Sequence, residues 1–373
     1  MFHAIELGDL RVHWVMPRPD AAFGIHGSIC PDDIAAALDA CPGAACVLLT
    51  SPTYEGVLSD IAAIAALCHA RGLPLLVDEA HGAHYLPMAG AFGWQGGALE
   101  GGADLVVQSP HKTLPSLPLT ALLDLGGVYG PALAGEVERQ LDVFETSSPS
   151  YPLMASLDGC TGLLAEQSTV WFARWAERLA RFDAAIAGLG RLRVFGHGAD
   201  TAQSHPACYR LDPGKILVDG AGAGLTGPAL AEILRRDYAF EPEMVCGSQV
   251  LAMSSPCDAG DTLDRFAAAL CEIDGAATAA VQPEPHLPPP PPGTAVCTIA
   301  GALRRQAEFC PLAQTDGRVA GEYLWAYPPG VPLVVPGERL TSRILQACCD
   351  LEAQGTRLRH TGGSGGDQLR VLA

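Results

Sequence analysis

Three short runs along the chain are apolar at nearly every position rather than at alternate ones: "ACVLLT" (45–50), "LPLLVD" (73–78) and "ADLVVQS" (103–109). Continuous runs of this length predict strands buried on both faces of a parallel sheet. Between the first two lies "SDIAAIAALCHARG", in which Ile61, Ile64, Leu67 and Cys68 share one helical face. Ser59 is placed to cap that helix and Gly72 to end it. Strand, helix and strand at this spacing form a βαβ crossover. An earlier helix is predicted to start at Pro31, with Asp32 and Asp33 in its first turn. "LRVHWVM" (10–16) reads as a further strand, and "EQSTVWFARWAERLARFDAAIAGLG" (166–190) as a long amphipathic helix.

The pattern then changes. Residues 1–190 read as an α/β large domain, and 191–281, with shorter mixed elements, as a small α+β domain. The proline-rich stretch at 282–294 reads as an extended linker, and 295–373 as a C-terminal lobe with a frayed end. In "GEYLWAYPPGVPLVVPGE" (321–338), Tyr323, Trp325 and Tyr327 alternate as packing residues of a strand. Glu322 beside them is a candidate holder of a cationic substrate tail.

Composition narrows the function classes. Apolar residues are 49% and charged residues 17% of 373, a globular balance. The net charge of −18 argues against a nucleic-acid partner, which demands clustered Lys and Arg. No run is long and apolar enough for a membrane span, and the acids and His in "MFHAIELGDLRVHWV" do not fit a signal peptide. Thirteen cysteines without a CxxC pair suggest reduced thiols and a cytoplasmic protein, not a disulfide framework or zinc site.

Parallel α/β sheets bind ligands beyond the C-terminal ends of their strands. The second run ends in "VDEAHGAH", which puts Asp78 at its tip and His81 just past it. The third ends in "SPHK", which puts Ser109, His111 and Lys112 at the neighbouring tip. Taken singly, Lys112 reads as a surface charge and Asp78 as a turn cap. Together they fit pyridoxal 5′-phosphate (PLP): a lysine forms the Schiff base, and an aspartate keeps the pyridine nitrogen protonated. His81 is placed to meet the ring or the substrate, and Ser109 and His111 to bind the phosphate. "HGAH" (81–84) lacks the further ligands a metal needs. Gly222, Gly224 and Gly227 spell GxGxxG, but no acidic strand end follows in a βαβ setting. A turn before a Thr226-capped helix is the better account.

"VLLTSPTYEGVLSDIAAIAALCHARGLPLLVDEAHGAHY", "GADLVVQSPHKTLPSL", "ETSSPSYPLMASLDG" and "YPPGVPLVVPGE" resemble the bacterial-type ornithine/lysine/arginine decarboxylases. That resemblance implies fold-type I, the aspartate aminotransferase-like class of PLP enzymes, with a mainly parallel sheet flanked by helices and smaller α+β C-terminal domains. It implies decarboxylation of a basic amino acid in polyamine metabolism. Lys112 would be the Schiff-base lysine, with Lys112 or His111 returning a proton. Asp78, His81, Ser109 and His111 would bind the cofactor, and Ser148 in "TSSPSY" would face a neighbouring subunit's phosphate, so a homodimer or larger homo-oligomer is expected. Three departures stand out. Family members carry a further N-terminal part of the cofactor domain, with a phosphate-cupping turn and a ring-stacking His; no residue here takes either role. Pro110 replaces a small polar residue, and "PLTALLDLGG" replaces polar positions after the lysine. A truncated, non-catalytic relative and an aminotransferase-type enzyme are the alternatives.

Overall fold

The computed structural model describes residues 1–93, 96–277, 292–326, 330, 332–353, 358–361 and 368–373. Tyr327, most of the proline-rich stretch and much of the glycine-rich tail lie outside the described residues. The chain divides into two compact units: Pro17–Glu243 with Ser248–Pro285, and Met1–Met16 with Met244–Gly247 and His286–Ala373.

The first unit begins with helix α1 (Pro31–Ala40), strand β1 (Val47–Thr50), helix α2 (Ile61–Ala70) and strand β2 (Leu75–Glu79). Helix α3 (Tyr85–Phe92), strand β3 (Leu105–Gln108), the single turn α4 (Pro110–Thr113) and strand β4 (Leu122–Leu125) follow. The three apolar runs are therefore β1, β2 and β3. They pair in parallel, and β4 closes the edge antiparallel to β3. Pro110 occupies the first turn of α4, where its missing N–H costs no hydrogen bond. "LTALLDL" supplies β4.

Burial corrects the expectation of a sheet covered on both faces. Leu49, Val77 and Val106 lie in one cross-strand row and are buried. On the opposite face Leu48 is 40% exposed, and Val107 and Leu123 are each 37% exposed. Asp78 belongs to this open face, because register aligns Thr50, Asp78, Val107 and Leu123.

Two further local expectations change. Asp60, not Ser59, caps α2: its carboxylate accepts from the Ala63 N–H at 3.0 Å. Ser59 instead accepts the Ile29 N–H, tying the start of α1 to that of α2. Residues 10–16 form no strand, since β pattern without a partner yields no ladder.

Helix α5 (Gly130–Phe144) leads to α6 (Tyr151–Ile186), which starts well before the amphipathic run at 166. Phe172, Trp175, Leu179, Phe182 and Ile186 form its buried stripe, and it packs against α3 and, later in the chain, against Thr262–Ala276. Aromatic side chains of this size dominate core energetics, at roughly 2–3 kcal/mol each. Strand β5 (Arg193–Val194), β6 (Lys215–Asp219), helix α7 (Gly227–Tyr238) and strand β7 (Gln249–Met253) continue the unit. β6 pairs antiparallel with both β5 and β7. The literal GxGxxG is a turn with Gly224 in the left-handed region, and Thr226 caps α7 through the Ala229 N–H at 3.3 Å.

In the second unit, Leu324–Ala326 pairs antiparallel with Pro332–Val334 and Leu358–His360, and Ala307–Pro311 with Gln368–Leu372. Leu324, Val334, Ile344, Cys348, Leu369 and Val371 share its core. Tyr323 and Trp325 do serve as packing residues, against Phe2 and Val12. Glu322 is buried, accepts the Arg370 N–H at 2.6 Å and has His360 Nδ1 3.7 Å from its Oε1.

Candidate active site

The site grows from the tips of β2 and β3. Both strands run parallel, so Asp78 and the segment 109–112 emerge on the same edge. Asp78 accepts the Ala80 N–H at 3.2 Å through Oδ1, which turns the chain sharply into "HGAH". Ser109 is the N-cap of α4 without using its hydroxyl for capping. Lys112, one turn on, is exposed. Partial burial lowers its pKa, while the charges of Asp78 and Glu243 raise it. The sequence-predicted acid and amine therefore share one electrostatic neighbourhood.

The remaining predicted residues divide. His111 donates Nδ1–H to the Thr120 carbonyl at 2.7 Å, which fixes its ring. Ser148 sits in an exposed segment between α5 and α6, and its N–H meets the Thr146 hydroxyl at 3.2 Å. His81 and His84 take different partners. His84 Nε2 lies 3.3 Å from a carboxylate oxygen of Asp212, and His81 Nδ1 lies 2.9 Å from the Nζ of Lys215.

Lys215 was not singled out by sequence reasoning. It begins β6 with its side chain almost fully buried, a rare place for a lysine. Burial lowers its pKa to about 8, against the opposing charges of Asp212 and Glu243. Asp212 is also buried and accepts from Tyr85 Oη at 3.0 Å and the Gly214 N–H at 2.8 Å. Burial raises the Asp212 pKa, but His84, Lys215 and the Gly214 N–H outweigh it and hold the carboxyl at about 2. Tyr54 completes this side: its hydroxyl donates to Glu243 at 2.6 Å, and its ring sits 4.7 Å from that of His81. A signal was present in "RLDPGKILVDG": a turn run into a strand with a lysine where an apolar residue would be normal.

On the opposite side of β2, Glu79 is buried and accepts from Gln108 Nε2 at 2.7 Å and the Ala98 N–H at 2.7 Å. Burial pushes its carboxyl up to about 8 despite those donors. It braces the strand that carries Asp78 from behind.

A parallel sheet carrying an acid and an amine at adjacent strand tips places the chain in the fold-type I class. The chain belongs to the Orn/Lys/Arg decarboxylase family: the family's major domain matches residues 1–219 and its C-terminal domain residues 285–354. It is 31% identical over 344 residues to an arginine decarboxylase of Bacillus subtilis, covering 88% of this chain and 66% of that protein. The chain thus spans just under two thirds of that relative's length. An arginine decarboxylase of Halalkalibacterium halodurans is 29% identical over 340 residues, with the same coverage. Among solved structures, the constitutive lysine decarboxylase of E. coli superposes with a TM-score of 0.76 at 20% identity, covering 100% of this chain and 65% of its own. A pyridoxamine-pyruvate aminotransferase of Mesorhizobium loti superposes at 0.52 and 21% identity, covering 67% of this chain and 65% of its own.

Proposed function

We propose that this protein decarboxylates a basic amino acid, with PLP held at the tips of β2 and β3. The observation that supports the reading is that Asp78 and Lys112 follow adjacent parallel strand tips and feel each other's charge, in a chain of the decarboxylase family. The residues present fit the group. Lys112 offers an exposed amine with a depressed pKa, suited to an aldehyde partner. Asp78 offers a carboxylate on the open sheet face to a ring nitrogen. His81 offers an imidazole beside them, and Ser109 and His111 offer a hydroxyl and an imidazole to a phosphate. PLP would supply an electron sink for the pair released as carbon dioxide leaves.

In this reading the Asp78 carboxylate would hold the ring nitrogen of PLP, and its charge would be the main electrostatic contribution of the chain to the step. Lys112 or His111 returns a proton to the substrate's α-carbon. Ser148, exposed between α5 and α6, faces a second copy of the chain in a homodimer. Polyamine metabolism is the proposed setting, and the cytoplasm the proposed location. Residues 1–190 serve as the cofactor domain, 191–281 as the small domain, 282–294 as the linker and 295–373 as the C-terminal lobe.

Arginine is the first substrate to test, because relatives named arginine decarboxylase match most of the chain; lysine and ornithine follow. The experiment supplies PLP to the purified chain and measures carbon dioxide from each carboxyl-labelled amino acid. Release from one or more of the three, lost in Lys112→Ala, is expected. Equal release from Lys112→Ala contradicts the mechanism, and no release from any of the three contradicts the function.

A further inference from the structure

Lys215 and His81 are 134 positions apart, yet their nitrogens stand 2.9 Å apart. An ammonium has hydrogens and no lone pair, so Nζ donates and the imidazole Nδ1 accepts. An imidazole that accepts at Nδ1 carries its hydrogen on Nε2. The lysine is itself held in place. Its Nζ also reaches the Met253 sulfur at 3.4 Å. Gly56, in the left-handed region at φ +95°, lies so close over its stem that a Cβ there would meet Lys215 Cβ and Cγ at 2.6 Å. The Gly56 carbonyl accepts the Asp212 N–H at 2.8 Å, and Val57–Leu58 pairs with Arg210–Leu211. The loop after β1 is therefore stapled across the lysine.

Resting on the cofactor reading above, we propose that Lys215 is a positioning residue that locks His81 as the neutral Nε2–H tautomer, so that the site receives a hydrogen-bond donor and never an imidazolium. The groups around the pair agree. Lys112 on α4 and Lys215 on β6 both bring positive charge to His81, as does His84 on its own segment; Asp212 opposes them. Lys215 in turn faces Asp212, Glu243 and Glu55, with Lys112 opposing. These acids keep an ammonium tolerable in a buried place. Burial, then Lys215, lowers the His81 pKa to about 3. A neutral donor beside a cofactor ring polarises oxygen without adding a competing charge, which is why a fixed tautomer matters there.

The test uses the full chain without cofactor, labelled with ¹⁵N-histidine, with His81 assigned by the signals lost in His81→Gln. Wild type is expected to show one His81 species, hydrogen on Nε2 and none on Nδ1, without titration between pH 5 and 7, below the Lys215 pKa of about 8. In Lys215→Met the two tautomers should mix and the titration should rise by about one pH unit or more. Hydrogen on Nδ1 in wild type overturns the proposal without any variant, so a Lys215→Met chain that fails to fold leaves it testable. Unchanged His81 signals in a folded Lys215→Met also overturn it. Lys215→Arg, which keeps the charge, should leave the titration near wild type. Pyridoxyl labelling of Lys112 on the same preparation separates the two ideas: labelling with an indifferent His81 defeats only the positioning role, and a locked His81 without labelling defeats only the cofactor reading.

Discussion

Tyr85 donates its hydroxyl to Oδ2 of Asp212 at 3.0 Å, although 127 positions separate them, and both side chains are fully buried. This bond fastens α3, directly after the candidate site, to the turn that leads into β6. Tyr85→Phe removes the donor and leaves a buried carboxylate short of a partner. We predict a loss of about 1–3 kcal/mol in denaturant unfolding. An unchanged midpoint would show that His84 and the Gly214 N–H satisfy Asp212 alone.

Glu79 gives a pH signature. Its folded-state carboxyl holds a proton up to about 8, well above the ordinary 4.5. Between those values the folded chain binds more protons than the unfolded one, so stability falls as pH rises through the window. The contribution is present below pH 4.5 and lost through pH 8. Glu79→Gln removes the titration, with Gln108 turning its amide to match. The decline in melting temperature from pH 5 to 8 should be shallower in the variant, and parallel curves would place the titration elsewhere.

Asp60→Ala should cost about 1 kcal/mol, the usual value of a lost N-cap. Helix α2 is the crossover that brings β2 into register beside β1, so the loss should appear in hydrogen exchange of α2 before the rest of the unit. Equal protection in both proteins would count against the cap.

For Asp78→Asn, removing a charged partner of the ring nitrogen should weaken PLP binding on the order of 10- to 100-fold, from the roughly 1.5–3 kcal/mol of a charged hydrogen bond. Fluorescence titration of the cofactor measures it. Equal affinities would take Asp78 out of the site.

Much of this was legible because it is local. The runs at 45–50, 73–78 and 103–109 became β1, β2 and β3, since continuous apolar strands have few other uses. Their parallel pairing then put Asp78 and Lys112 on one edge. What escaped depends on contacts far apart in sequence. The Lys215–His81 bond requires β6 to return beneath the loop after β1, which no periodicity encodes. Ser59 and Asp60 are both good caps, and only the route of residues 28–30 decides between them. The exposed face carrying Leu48, Val107 and Leu123 marks where a rule about buried parallel sheets met a face that the described residues leave open.

The central claim is that Lys112 is the amine that holds the cofactor. Incubating the chain with PLP, removing the excess, reducing with borohydride and mapping the pyridoxyl group by peptide mass spectrometry tests it directly. A pyridoxyl group on Lys112, absent from Lys112→Ala and reduced in Asp78→Asn, is the predicted result. A folded chain labelled on another lysine, or on none, would contradict it.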